Sequence, residues 1–250
     1  MSTKSSTGKL TKQLYSLIPL LFLSLITTGC GSIVTKKAPP FSHIHIGHAL
    51  TGWAPTPSKK GLISTAEQEA GIALSNAVQA SKSATLQEKK KYISNALHAV
   101  DPKVQASGPG LGYGLTRALT ESIAHLQYAA DSDDASANIK RSVPTITSKA
   151  QNLARLSNQL KVYGGAAKSA TSISEINALG NEFLSTIKQI NTGAYNIKTF
   201  RSDIQAMASR EKPAYTTVDS YYLFNLIRLP SGKWAFRSSK DTSGNDSGTY

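Results

Sequence analysis

The sequence predicts a mainly α-helical protein, an antiparallel bundle of about five or six helices with a small C-terminal β-hairpin. Apolar residues recur at helical spacing in successive segments. Three of these segments follow a capping pattern, in which a serine or threonine stands three residues before a glutamate. The links between segments are short, which favours antiparallel neighbours. We therefore assign residues 42–212 to the bundle and residues 213–238 to the hairpin.

The first residues have the layout of a secretory signal peptide. Residues 1–12 contain three lysines and no acidic residue, and residues 14–26 are apolar apart from two serines and a tyrosine. A positive start before a short apolar core is typical of such signals. The apolar run is shorter than the roughly 20 residues that cross a bilayer. Residues 1–29 are therefore predicted to be removed after export.

The end of this signal resembles the bacterial lipobox. Residues 27–29 are small and precede Cys30, the only cysteine in the chain. In bacterial lipoproteins the cysteine of this motif is acylated, palmitate included, and becomes the new N-terminus. The family usually has leucine where this chain has Thr27. The resemblance implies a membrane anchor at Cys30 and a lipidated tether over residues 30–41, and several acyl chains together make such anchoring stable.

The same resemblance implies a place in the cell envelope. In Gram-negative hosts, lipoproteins retained at the inner membrane have an aspartate after the cysteine, and here that position holds Gly31. We therefore expect the outer membrane, with the helical body facing the periplasm. The chain has a net charge of +13, which suits an anionic surface or an envelope protein as a further partner. It has no nucleic-acid-binding motif, so no nucleic acid is expected to bind.

Capping patterns and prolines define the first two predicted helices. Ser64 opens an alanine-rich helix over residues 65–82. Thr85 opens a second helix over residues 86–100, which stops before Pro102. Each of the two capping residues is followed three positions later by a glutamate, as the capping pattern requires.

The third and fourth helices lie on either side of an acidic segment, residues 131–134. The third helix carries an aligned apolar stripe and ends at that segment. The fourth is predicted over residues 138–162, with Pro144 either kinking it or marking its first turn. Gly164 and Gly165 are expected to end it. Although the acidic segment resembles the start of a calcium loop, the glycine and glutamate that such a loop needs are missing.

Two further helices complete the predicted bundle. Ser172 opens a helix over residues 173–191, which Gly193 ends. A final apolar stripe, from Ile197 to Met207, predicts a sixth helix.

The C-terminal part differs in composition from the bundle. Aromatic and branched residues flank a Pro-Ser-Gly turn at residues 230–232, which predicts the β-hairpin. Because an isolated hairpin is marginal in water, it should pack on the bundle or on a partner. The polar residues 239–250 are predicted to form a disordered tail. The aromatic residues that could bind a partner protein are Tyr221, Tyr222, Phe224 and Trp234.

The histidines are the main candidates for chemistry. In a strand His43 and His45 would share a side, and in a helix His45 and His48 would. Either geometry places two imidazoles near one ion, with further ligands from His98 or His125. Imidazole suits copper and zinc, so one interpretation is a site for either metal. In the other interpretation, the histidines only form hydrogen bonds with the backbone or with solvent.

Other features of the sequence leave alternatives or exclude functions. The glycine-rich link at residues 108–114 lacks the dinucleotide-binding spacing but could present N–H groups to an anion. Trp53 could fill one end of the bundle or stack against a ligand. No catalytic set is recognisable, so we do not expect an enzyme.

The body also resembles an uncharacterised group of exported bacterial helical proteins, over residues 42–190. The resemblance rests on short blocks at residues 43–48, 51–53, 99–102, 110–114 and 135–138. It implies no activity and no functional residue. The residues themselves favour a lipid-anchored envelope protein that binds a transition metal or small ligand through its histidine segment. The alternative is a structural lipoprotein that docks an envelope partner through its aromatic hairpin.

Overall fold

The computed structural model describes residues 40–212 and two short strands near the C-terminus. Seven α-helices and one 3-10 turn account for most of residues 40–212, so the mainly α-helical fold class is confirmed. The elements are α1 (Phe41–Leu50), the 3-10 turn (Pro57–Lys59), α2 (Leu62–Lys82), α3 (Leu86–Val100), α4 (Leu115–Asp131), α5 (Ala137–Ser169), α6 (Ile173–Thr192) and α7 (Ile197–Ala208).

The helices pack as a bundle around a core of aliphatic and small residues. α2 packs against α3, α4 and α6, and α5 packs against α3, α4, α6 and α7. Five of the nine buried residues of α2 are alanines, and Ala66, Ala70 and Ala73 among them are fully buried. Small side chains let neighbouring backbones approach closely. Among the described helices, none combines the length and the apolar character needed to cross a membrane.

The two strands β1 (Leu226–Arg228) and β2 (Trp234–Phe236) pair antiparallel, with Ile227 opposite Ala235. The residues that join and flank them lie outside the described residues, as do Tyr221, Tyr222, Phe224 and the side chain of Trp234. The hairpin appendage over residues 213–238 and its role in partner binding therefore stay predictions. The same holds for the signal peptide and the lipidated Cys30, and for the C-terminal tail.

Two of the three predicted caps are confirmed. The Thr85 hydroxyl accepts a hydrogen bond from the Glu88 N–H at 3.2 Å, at the start of α3. The Ser172 hydroxyl accepts one from the Glu175 N–H at 3.1 Å, at the start of α6. Each side chain satisfies an N–H that has no partner within its own helix.

The predicted cap at Ser64 is wrong. α2 begins at Leu62, and both Leu62 and Ile63 are fully buried, so burial of this apolar pair extends the helix past the serine. The Ser64 hydroxyl instead accepts a hydrogen bond from Arg201 of α7, at 3.0 Å. Arg201 also pairs with Glu67, with 2.6 Å between Nη2 and Oε2. The two residues of the expected local cap thus join two distant helices.

The predicted end of the fourth helix is also wrong, because α5 continues through both glycines to Ser169. A Cβ atom at Gly164 would lie 2.9 Å from Leu97 Cδ1 and 3.1 Å from Phe183 Cε2. Gly164 therefore serves close packing between helices and does not terminate one. Pro144 lies inside α5 and does not mark its first turn.

Candidate metal centre

The first helix holds two of the histidines on one face. α1 is buried along residues 42–49, and it has no acidic residue in its own first turn. The Asp134 carboxylate, from the link between α4 and α5, accepts hydrogen bonds from the N–H groups of Phe41 at 2.6 Å and Ser42 at 3.1 Å. This distant carboxylate satisfies the helix start. His45 and His48 are three residues apart and so face the same side.

The third histidine comes from α4, which packs against α1. His125 Nδ1 lies 3.0 Å from His45 Nδ1 and 3.2 Å from His48 Nδ1. One ring nitrogen of each histidine lies within 4.8 Å of those of the other two. The exposed fractions are 6% for His45 and 1% for each of the others. Three imidazoles from two helices therefore converge in the interior.

Aromatic rings surround this histidine cluster, by which we mean His45, His48 and His125. The Trp53 ring centroid lies 4.4 Å from the centroids of both His48 and His125. Tyr128, one turn after His125, lies 5.4 Å from His45. Trp53 is buried, and its ring packs against two of the histidines. The buried Trp53 ring excludes water from its side of the cluster and lowers the local dielectric there.

Burial keeps the imidazoles of His45 and His125 neutral. Desolvation lowers the pKa of His45 to about 4, although the nearby Asp134 charge partly opposes the shift. Desolvation, helped by His45, lowers the pKa of His125 to about 3. Both rings are therefore unprotonated at neutral pH. A neutral imidazole has the lone pair that a metal ligand needs.

The distances between the nitrogens suit a shared ion better than a hydrogen-bond network. In its ring plane, an imidazole nitrogen carries either one N–H or one lone pair, so it forms one good hydrogen bond. His125 Nδ1 faces two other Nδ1 atoms at that distance. Two nitrogens bound at about 2.0–2.1 Å to a tetrahedral ion lie about 3.3 Å apart. The observed separations are close to that value, and three nitrogen ligands suit Zn²⁺, Cu²⁺ or Ni²⁺.

Comparison with known proteins offers no relative from which a function could be transferred. No family model, no curated protein and no solved structure matches this chain. The metal site is therefore inferred from the geometry of the three histidines.

The structure does not bring His43 and His98 to the cluster. His43 stands two residues before His45 on α1, so it projects from a different face of the helix. Its Nε2 lies 2.9 Å from Glu211 Oε2. His98, on α3, has its Nδ1 2.7 Å from the carbonyl oxygen of Gln105. Both are buried histidines with partners outside the candidate site.

Glu211 forms a separate buried hydrogen-bond network with His43. Its carboxylate also accepts hydrogen bonds from the Asn138 amide and the Ser136 hydroxyl. Burial alone would raise the pKa of Glu211, but the hydrogen bonds from Asn138, His43 and Ser136 outweigh it, and the pKa falls below its usual value. This network links Glu211, which follows α7, to α1 and to the start of α5.

Glu69 of α2 is a buried acidic residue that the sequence did not lead us to single out. Its carboxylate is fully buried and accepts hydrogen bonds from the N–H groups of Leu111 at 3.1 Å, Tyr113 at 3.2 Å and Gly114 at 2.9 Å. The glycine-rich link does present N–H groups to an anion, and that anion is the protein's own carboxylate. An acidic residue on the alanine face of α2 was the signal that could have revealed it.

Proposed function

We propose that this protein is a lipid-anchored cell-envelope protein whose helical bundle binds one transition metal ion, Zn²⁺ or Cu²⁺, through His45, His48 and His125. The observation that carries the metal proposal is the convergence of three buried Nδ1 atoms, with separations of 3.0 and 3.2 Å. The lipid anchor is supported by the lipobox resemblance at Cys30.

The environment of the cluster supports a tight site. The lowered pKa values of His45 and His125 mean that little competition from protons is expected at neutral pH. Trp53 packs against two of the rings and restrains them, which reduces the ordering cost of coordination. Three imidazoles leave one position of a tetrahedral ion for water or another small donor. Among the described residues, no acidic side chain joins the three histidines.

The ion would also join two distant parts of the chain. His125 is 80 residues from His45 and 77 from His48. An ion shared between α1 and α4 closes that long loop, and binding to the folded state stabilises it by mass action. Metal binding and the docking of α1 are therefore expected to be coupled.

The test is a metal titration of residues 31–250, purified without a histidine tag and stripped of metal. A chromophoric chelator that competes for Zn²⁺ or Cu²⁺ reports both affinity and stoichiometry. We expect one ion per chain with a dissociation constant in the micromolar range or tighter, about −8 kcal/mol or more favourable. His125→Ala removes one of three ligands and should weaken binding at least about 100-fold.

His98→Ala is the matched control, because it removes a buried histidine outside the cluster. Its affinity should equal that of the unaltered protein. Circular dichroism should show that both variants keep their helical content. Absence of stoichiometric binding would overturn the proposal, as would equal losses in the two variants.

A further inference from the structure

A basic groove lies between α5 and the C-terminal end of α7, and no histidine is among its lining residues. Its volume is about 450 Å³. Side chains from both helices and from the residues after α7 form its walls. The lining residues include Arg141, Thr145, Ile146, Lys149, Asp203 and Arg210.

The positive charge of this groove is only partly neutralised. Lys149 pairs with Asp203, with 3.4 Å between Nζ and Oδ2. Arg141 and Arg210 form no ion pair with any other residue of the range 40–212. Two guanidinium groups therefore line the same groove as Asp203 without forming an ion pair with it or with another carboxylate of the described residues.

Both arginines are carried by well-anchored backbone. Arg141 lies in the second turn of α5. Arg210 directly precedes Glu211, whose buried carboxylate is held by His43, Ser136 and Asn138. A fixed backbone at each arginine lowers the entropy cost of holding a ligand between them.

We propose that this groove binds a phosphate group, carried either by a phospholipid headgroup or by a soluble phosphate compound. Planar guanidinium forks form paired, charge-assisted hydrogen bonds with phosphate oxygens. The Thr145 hydroxyl offers a further donor at the groove wall, and Ile146 provides an apolar surface beside it. The basic character of the whole chain, with a net charge of +13, attracts such anions. This inference is independent of the proposed metal site.

The test uses the full chain in nonionic detergent, freed of metal so that phosphate cannot bind to an ion. Isothermal titration calorimetry compares inorganic phosphate, short-chain phosphatidylglycerol and short-chain phosphatidylcholine. We expect saturable binding of at least one of the two anionic probes. The double variant R141Q/R210Q should bind that probe about ten-fold or more weakly.

Arg155→Gln is the matched control, because Arg155 is an exposed arginine of α5 that bonds Asn152 and lies outside the groove. Tighter binding of phosphatidylglycerol than of phosphate would identify a lipid headgroup as the ligand, and the reverse order would identify a soluble phosphate. The proposal is overturned if neither anionic probe saturates. It is also overturned if R155Q and R141Q/R210Q lose affinity equally, since general charge attraction would then explain the binding.

Discussion

Two buried polar clusters lie against α4, and they are built on opposite principles. At the start of the helix, the Glu69 carboxylate faces three backbone N–H groups, so a negative charge meets donors that complement it. Further along α4, His125 meets His45 and His48, so three basic nitrogens face one another. The first cluster is complete within the chain. For the second, we propose that a cation completes it.

The difference shows how a protein can keep polar groups in its interior. A buried charge is tolerated when it is paired and hydrogen-bonded, which Glu69 achieves with its own backbone partners. His45 and His125 are tolerated because burial lowers their pKa values, so these two rings stay uncharged. A cluster of neutral lone pairs is also the state that receives a metal ion.

Trp53 and Tyr113 connect the two clusters. Trp53 packs against His48 and His125, and its Nε1–H donates a hydrogen bond to the Tyr113 hydroxyl at 3.2 Å. The Tyr113 N–H in turn donates to Glu69. The Tyr113 hydroxyl also donates to Glu121, and burial together with that carboxylate raises the pKa of Tyr113. Changes in either cluster can therefore be compared within one packed unit.

The largest expected effect is the loss of stability when the Glu69 carboxylate is replaced. Glu69→Gln replaces a charged acceptor with an amide whose NH₂ group faces backbone donors, so we expect the free energy of unfolding to fall by roughly 3–5 kcal/mol. Glu67→Gln is the control on the same helix, because its partly exposed pair with Arg201 should contribute less than about 1 kcal/mol. Urea denaturation of the metal-free protein measures both, and similar losses would refute the distinction.

The next largest effect is the stabilisation of the fold when zinc binds to the histidine cluster. At a free Zn²⁺ concentration about 100 times the dissociation constant, binding should stabilise the fold by about 2.7 kcal/mol. For a domain of this size, that raises the melting temperature by roughly 5–10 °C. His125→Ala should abolish this increase in melting temperature. Glu69→Gln should keep the increase, although its melting temperature without zinc should be lower. A zinc-dependent increase that persists in His125→Ala would place the ion elsewhere.

The smallest effect, counted for one histidine over one pH unit, is the acid sensitivity of the metal-free histidine cluster. The pKa of His45 is about 4 and that of His125 about 3 in the folded state, against 6.5 for an unperturbed histidine. The unfolded chain therefore binds more protons as pH falls below 6.5, so stability is full above that value and declines toward pH 4. Each histidine contributes at most about 1.4 kcal/mol per pH unit.

Urea denaturation between about pH 5 and pH 7 measures this slope, since the lowered pKa of Glu211 affects stability mainly below that range. In His125→Gln, the slope of the free energy of unfolding against pH should be smaller by up to about 1.4 kcal/mol per pH unit, the largest contribution of one histidine. An unchanged slope in that variant would show that His125 binds a proton as readily in the folded state as in the unfolded chain.

The helical fold class was predictable because its signals are local. Apolar periodicity located α3, α6 and α7 to within one residue at each end, and the caps at Thr85 and Ser172 act within one turn. The errors came from residues that are used over long distances. Ser64 was expected to cap its own helix but accepts a hydrogen bond from Arg201 of another helix. Gly164 was expected to end its helix but leaves room for the side chains of Leu97 and Phe183.

By itself, the sequence determined that the protein is a helical bundle and that its histidines include the candidates for a metal site. It also determined that His45 and His48 share a face if their segment is helical, since helix geometry requires it. Only the tertiary structure decided that His125 joins them, while His43 bonds Glu211. The physical reason is that these partners lie up to 168 residues apart, so they meet only through the packing of whole helices.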